Sequence, residues 1–139
     1  MMRLLITSII LLLFSCASNT SVFPGGIKND KQSIIGTWNY AQQRNDNVTV
    51  GIWIINEDGT MESTMTIDDE KYILTGKWEV SGSTLTTQWK LLKKGDMYYQ
   101  TENHERFKGL AQPSTSKILK VDDDILILQN KVVEKFLRE

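Results

Sequence analysis

The chain has 139 residues, 16 Lys and Arg against 17 Asp and Glu, and a formal charge of −1. It carries no basic stripe of the kind a phosphate-tracking surface needs, so no nucleic-acid partner is expected. One Cys and one His exclude an internal disulfide and a structural zinc site of several Cys and His ligands, and the fold must be held by burial.

Met1-Met2-Arg3 is a minimal positive segment, followed by an apolar run from Leu4 to Phe14 that only Thr7 and Ser8 interrupt. The run is about half of the ~20 residues a permanent membrane helix needs, which is the architecture of a secretory signal. Leu13-Phe14-Ser15-Cys16 resembles the bacterial lipobox, although the pattern prefers a smaller residue than Phe14. The resemblance implies diacylglyceryl on Cys16, cleavage before it and acylation (palmitate) of the new amino group. Several acyl chains on one residue give a stable membrane anchor. Residues 1–15 are therefore read as a lipoprotein signal peptide. Ala17 stands where an acidic residue would resemble an inner-membrane retention signal. The expected location is the cell envelope, lipid-anchored in the outer membrane and facing the periplasm. Residues 16–32 are read as the lipidated cysteine and a flexible tether. Pro24-Gly25-Gly26 supplies loop chemistry, and Val22-Phe23 and Ile27 are its apolar members. Residues 33–139 form the domain.

The domain is expected to be all-β. A first strand runs from Ser33 to Gln42 and a second, β-branched and aromatic, from Val48 to Asn56. Glu57-Asp58-Gly59 turns the chain into Thr60 to Ile67, which alternates Met61, Ser63, Met65 and Ile67 against polar residues. After Asp68-Asp69-Glu70, the stretch Lys71 to Val80 sets Tyr72, Leu74, Gly76, Trp78 and Val80 on one face. After Ser81-Gly82, Ser83 to Leu92 sets Leu85, Thr87, Trp89 and Leu91 on one face. Met97 to Gln100 begins a further strand, and Asn103 to Ala111 is open between strand and short helix. Ser116 to Val121, Ile125 to Asn130 and Val132 to Arg138 close the domain. Turns fall at Asp122-Asp123-Asp124 and Asn130-Lys131. About eight or nine short strands at this spacing argue an antiparallel meander, closed as a barrel or folded as a sandwich. A barrel leaves no exposed edges.

Gly36-Thr37-Trp38 at the first strand resembles the G-x-W signature of lipocalins. The runs Ile55-Asn56-Glu57-Asp58-Gly59-Thr60-Met61 and Gly76-Lys77-Trp78-Glu79-Val80-Ser81-Gly82-Ser83-Thr84-Leu85-Thr86 are similar to hairpins of small bacterial lipocalin-like lipoproteins. The resemblance covers about Ile34 to Gln129. It implies an antiparallel up-and-down barrel of about eight strands, an apolar interior or mouth, and no reaction. It also implies that Trp38 closes one end of the barrel, with an Arg from a late strand over it. Arg138 is the residue available for that place. The chain is shorter than a typical lipocalin, which points to a small or filled cavity.

Trp53, Trp78 and Trp89 are expected to point inward, with Ile55, Met61, Met65, Leu74 and Leu85. Core filling suits each of them, and so does lining a pocket. The candidate ligand-binding residues are Trp53, Met65, Trp78 and Trp89, where Trp N–H groups and Met side chains meet an amphipathic molecule. No catalytic residue, metal or cofactor is assigned. His104 lacks a nucleophile elbow and reads as a surface residue beside Glu102 and Glu105. The acidic runs at 68–70 and 122–124 lack the D-x-D-x-D-G calcium loop and read as turns. With Trp53 and Ile55 inward, Val48, Val50, Ile52 and Ile54 form an outward apolar strip, and such patches usually mean contact. Cover by the segment around Phe23, a bulge that flips the register, and a partner protein are the explanations, in that order. The functional expectation is non-catalytic binding of a small apolar or amphipathic molecule. The alternative is a protein-interaction module of the envelope, an inhibitor or accessory subunit.

Overall fold

The computed structural model describes residues 31–139 apart from residue 45, with backbone alone at 43, 44 and 47. The signal segment, Cys16 and the tether as far as residue 30 lie outside the described residues.

Nine strands follow a helical turn at 31–34. They are β1 (Gly36–Arg44), β2 (Asn47–Ile55), β3 (Thr60–Ile67), β4 (Glu70–Ser81), β5 (Thr84–Lys94), β6 (Met97–Gln100), β7 (Ser114–Val121), β8 (Ile125–Gln129) and β9 (Val133–Arg138). All pairings are antiparallel. Eight strands close a ring in the order β1-β2-β3-β4-β5-β7-β8-β9, and β9 returns to β1. The fold is an all-β, up-and-down barrel, as expected. The ninth strand, β6, pairs only with Leu91 to Lys94 of β5, while β7 pairs with Thr84 to Thr87 of the same strand. The segment of 101–113 between them carries two 3-10 turns, Thr101–Asn103 and Lys108–Ala111. It fills the gap in the wall that the short β6 leaves.

The hairpin turns sort the barrel into two ends. The 56–59, 81–84 and 122–124 turns share one end with the chain start. The 44–47, 67–70, 94–97 and 129–133 turns share the other. Asp68 and Asp69 both adopt positive φ, 52° and 65°, the geometry a two-residue hairpin turn demands and Asp tolerates.

The first end is closed by packing. Trp38 and Ile34 are fully buried, and the Trp38 indole N–H donates to the Ile34 carbonyl at 2.8 Å. The helical turn is therefore a plug, and the first strand starts at Gly36 rather than at Ser33. Arg138, the penultimate described residue, lies over the Trp38 ring at 4.1 Å from its centre. Its guanidinium donates to the carbonyls of Ser33 at 2.6 Å, Ile35 at 2.9 Å and Asp123 at 2.7 Å. Gly36 has φ +139°, and a Cβ there would collide with the Arg138 guanidinium. The glycine of Gly36-Thr37-Trp38 is thus fixed both by backbone conformation and by what lies over it.

Along the strands, inward residues follow the expected parity with one correction. Leu91 was placed on the inner face, yet it is 41% exposed while Leu92 is 0% exposed. The cause is a bulge: Gly76 pairs with Trp89 and Thr75 with Leu91, so Lys90 has no partner and the strand reverses its faces there. Gly76 permits the bulge, since a Cβ would strike the Gln88 carbonyl.

The outward strip on β2 is real. Val48 is 59% and Val50 51% exposed, and the β1–β2 ladder runs without a register shift from Gly36↔Ile55 to Arg44↔Asn47. The bulge explanation for this strip is therefore excluded. The segment around Phe23 lies outside the described residues.

Arg138→Met should destabilise the domain by about 3 kcal/mol, the scale of a buried cation–π contact with charge-assisted hydrogen bonds. Arg138→Lys should recover less than half of this, because a point ammonium cannot reach three carbonyls at once. Urea unfolding of the three proteins measures it.

Candidate functional site

Strand alternation builds the second end of the barrel from the inside. On β1, Tyr40 and Gln42 continue the inward face that starts at Trp38. On β2, Thr49 and Trp53 face them, on β3 Met65 and Ile67, on β5 Trp89, and on β9 Glu134 and Phe136. These side chains line a cavity of about 330 Å³, roofed by Arg106, Phe107 and Leu110 from the segment between β6 and β7. The volume sits at the lower end of the range for small-molecule pockets. It corresponds to on the order of ten waters at ~30 Å³ each.

The floor is aromatic. Trp53 lies edge-on to Trp89 with ring centres 5.9 Å apart and tilted against Phe136 at 4.6 Å. Tyr40 completes the group at 5.4 Å from Phe136 and 6.2 Å from Trp53. Tyr40 fits because its partner in the ladder is Gly51, whose Cβ would strike the phenol. Burial and the nearby negative charge of Glu134 hold the Tyr40 phenol above its ordinary 10.0. The wall carries one polar pair: Gln42 Nε2 donates to Glu134 Oε1 at 2.7 Å.

Three of the four sequence-derived site residues, Trp53, Met65 and Trp89, meet in this cavity. Trp78 does not. It is buried toward the closed end, where its indole N–H donates to the Asn56 carbonyl at 2.8 Å and its backbone N–H to Gly59 at 2.9 Å. Its place on the inward face of β4 makes it look equivalent. It locks the 56–59 turn and borders a separate groove of about 490 Å³ with Asp58, Lys77 and Pro113. Tyr40, Gln42, Glu134 and Phe136 were absent from the expected set. The alternation that starts at Trp38 and the one that ends at Arg138 carry the signal that finds them. Arg106 and Phe107 lie in an aperiodic segment that offers no such signal.

The rim is charged and internally paired. Arg106 meets Asp68 at 3.2 Å and leans over the Tyr72 ring at 5.9 Å. The Tyr72 hydroxyl donates to Glu70 at 2.6 Å, and Lys94 reaches the same carboxylate at 2.9 Å. The Tyr72 hydrogen bond first, then the Lys94 contact, hold the Glu70 carboxyl below its ordinary 4.5. His104 differs from the exposed residue expected: it is half-buried among the rings of Tyr72, Tyr99 and Phe107, at 6.3, 5.5 and 5.3 Å. It packs the irregular segment onto the barrel. Asp122 accepts from the N–H groups of Asp124 and Ile125, both at 2.9 Å, which lowers its pKa and makes it a turn residue. Among the described residues, no three His, Cys, Asp or Glu side chains cluster as metal ligands.

No family model matches the chain. No curated protein matches it either. Among solved structures, its fold is similar to a lipocalin-like protein from Bacteroides uniformis ATCC 8492, at 12% identity and a TM-score of 0.54. That match covers 77% of this chain and 98% of the other. It is also similar to an uncharacterised protein from Bacteroides eggerthii DSM 20697, at 10% identity and a TM-score of 0.53, covering 76% and 98%. The barrel is lipocalin-like in fold.

A carboxylate whose folded pKa is lowered contributes stability above its ordinary value and loses it as pH falls through the folded value. Glu70→Gln should therefore be less stable than the parent at neutral pH. The difference should shrink as pH falls below 4.5, read from thermal unfolding at a series of pH values.

Proposed function

We propose that this chain is a lipid-anchored, non-catalytic lipoprotein of the bacterial envelope that binds a small apolar or amphipathic molecule in the open-end cavity. The observation that carries the binding reading is the contrast between the two ends. One end is filled by Trp38, Ile34 and Arg138, and the other leaves about 330 Å³ between aromatic walls. A barrel that needed only stability would fill both, because an unfilled apolar space forfeits packing. The lipocalin-like solved structure agrees in fold. The anchor rests on the Leu13-Phe14-Ser15-Cys16 motif, and palmitate labelling of cells tests it. Cys16→Ala should lose the label.

The cavity is tested by filling it, because truncating Trp53 or Trp89 would also cost about 3–5 kcal/mol of packing. Thr49 is a small wall residue. Thr49→Trp should weaken binding of an apolar fluorescent probe by more than tenfold and leave the unfolding temperature near that of the parent. Unchanged probe affinity in a folded variant would refute the cavity as the site.

The interaction-module reading is favoured by one observation of its own. The outer face across β9, β1, β2 and β3 carries a groove of about 670 Å³ bordered by Ala41, Val50, Ile52 and Leu137. Val50 and Leu137 are half exposed. Val50→Lys should cost little stability, as surface changes usually do. If the face docks an envelope protein, the same change should abolish a pull-down that Thr49→Trp leaves intact.

A further inference from the structure

We infer that the open-end cavity selects a compact organic cation, an amine or quaternary ammonium small enough for about 330 Å³, with its charge against Glu134 and its carbon body on Trp53, Tyr40 and Phe136. This rests on the reading of the cavity as a ligand site and adds the ligand's charge to it.

Among the described residues, two charged ones line the cavity, Arg106 and Glu134, and they differ in how their charge is met. Arg106 stands at the rim on the irregular segment and already has a carboxylate, Asp68, at 3.2 Å. An anionic ligand would have to compete with that pair. Glu134 stands on the strand wall, two residues before Phe136, so both side chains point inward. Its partner is the neutral amide of Gln42 at 2.7 Å. No Lys or Arg among the described residues forms an ion pair with it. A carboxylate lining a confined apolar space favours a positive guest, since the attraction is less screened there than in water.

The floor beneath it has the matching chemistry. Tyr40, Trp53 and Phe136 present rings at centre distances of 4.6 to 6.2 Å with mutual tilts of 41° to 70°. The rings pack on one another, Phe136 is buried beneath the other two, and the half-buried Tyr40 and Trp53 keep ring surface toward the cavity. A cation over an aromatic face is attracted by the ring quadrupole, by about 2 kcal/mol when desolvated. Glu134 lines the cavity together with Tyr40, Trp53 and Phe136, so the carboxylate and the rings bound the same space. The volume excludes long acyl chains lying wholly inside.

Three probes of one shape and three charges test this on the full chain held in amphipol. They are choline, its carbon isostere neohexyl alcohol, and tert-butylacetate. Competition against the apolar fluorescent probe gives the affinities. Choline should bind about tenfold more tightly than neohexyl alcohol, the preference that the Glu134 charge supplies in a partly enclosed site, and tert-butylacetate most weakly. In Glu134→Gln the choline preference should fall to about twofold or less, and neohexyl alcohol should still compete with the fluorescent probe, which shows that the cavity survives. The preference should shrink with added salt. If neohexyl alcohol matches choline, or tert-butylacetate binds best, the charge assignment is overturned and the cavity reading stands. If neither these probes nor the fluorescent probe binds, the cavity reading fails and takes the inference with it.

Discussion

The contact between Arg138 and Trp38 is the point on which the rest of the barrel depends. The β1–β2 ladder joins nine residue pairs, but the seam that closes the ring, β1 to β9, joins three. A short seam at the ends of the chain is where a closed sheet would fray first. Arg138, paired with Trp38 in that seam, reinforces it with its side chain. Its guanidinium stacks on the Trp38 ring and ties together the carbonyls of Ser33, Ile35 and Asp123. One side chain therefore binds the helical plug, the first strand and the β7–β8 turn to the last strand. Gly36 is the room this arrangement requires.

Securing one end by packing releases the other from that task. The closed end is filled by Ile34, Trp38, Ile55, Met61 and Leu85, each essentially without exposed surface. Toward the open end the ring of strands is less complete, because β5 is shared between β6 and β7. The 3-10 segment that bridges this gap has fewer ladder hydrogen bonds than a strand. It is held by side chains instead: Phe107 is buried, His104 wedges between rings, and Arg106 reaches across to Asp68. Segments held this way are drawn from the less stable part of a fold, and this one forms the roof of the cavity. A ligand bound as proposed would enter past it.

The barrel was legible in the sequence because its signals are local. Period-two alternation in Thr60 to Ile67 and in Lys71 to Val80 gives strand and face together, and turn residues give the boundaries. The resemblance of Gly36-Thr37-Trp38 to a lipocalin signature added the role of Trp38 and brought Arg138 into view, a pairing across a hundred residues that periodicity alone does not reach. The failures are equally physical. The bulge at Lys90 reversed the faces of β5, because a single unpaired residue leaves no mark on composition. Trp78 looked like Trp53 and Trp89 because alternation reports which face a residue occupies but not its height along the barrel axis. Glu134 and Gln42 carry no signal of their own, because polar side chains on a barrel wall have the same spelling whether they face a cavity or solvent.

Height along the axis also bears on how the anchor and the cavity work together. The described chain begins at the closed end, beside Arg138. Residue 31, where the described chain starts, and the cavity mouth lie at opposite ends of the barrel. A carrier that extracted lipids would need its opening against the membrane and room for acyl chains. The cavity, at about 330 Å³, lacks room for long acyl chains. Its size favours a guest that arrives from solution. Such a guest must be soluble enough to be there and apolar enough to leave water for an aromatic floor, which is the balance a small charged head on a carbon body provides.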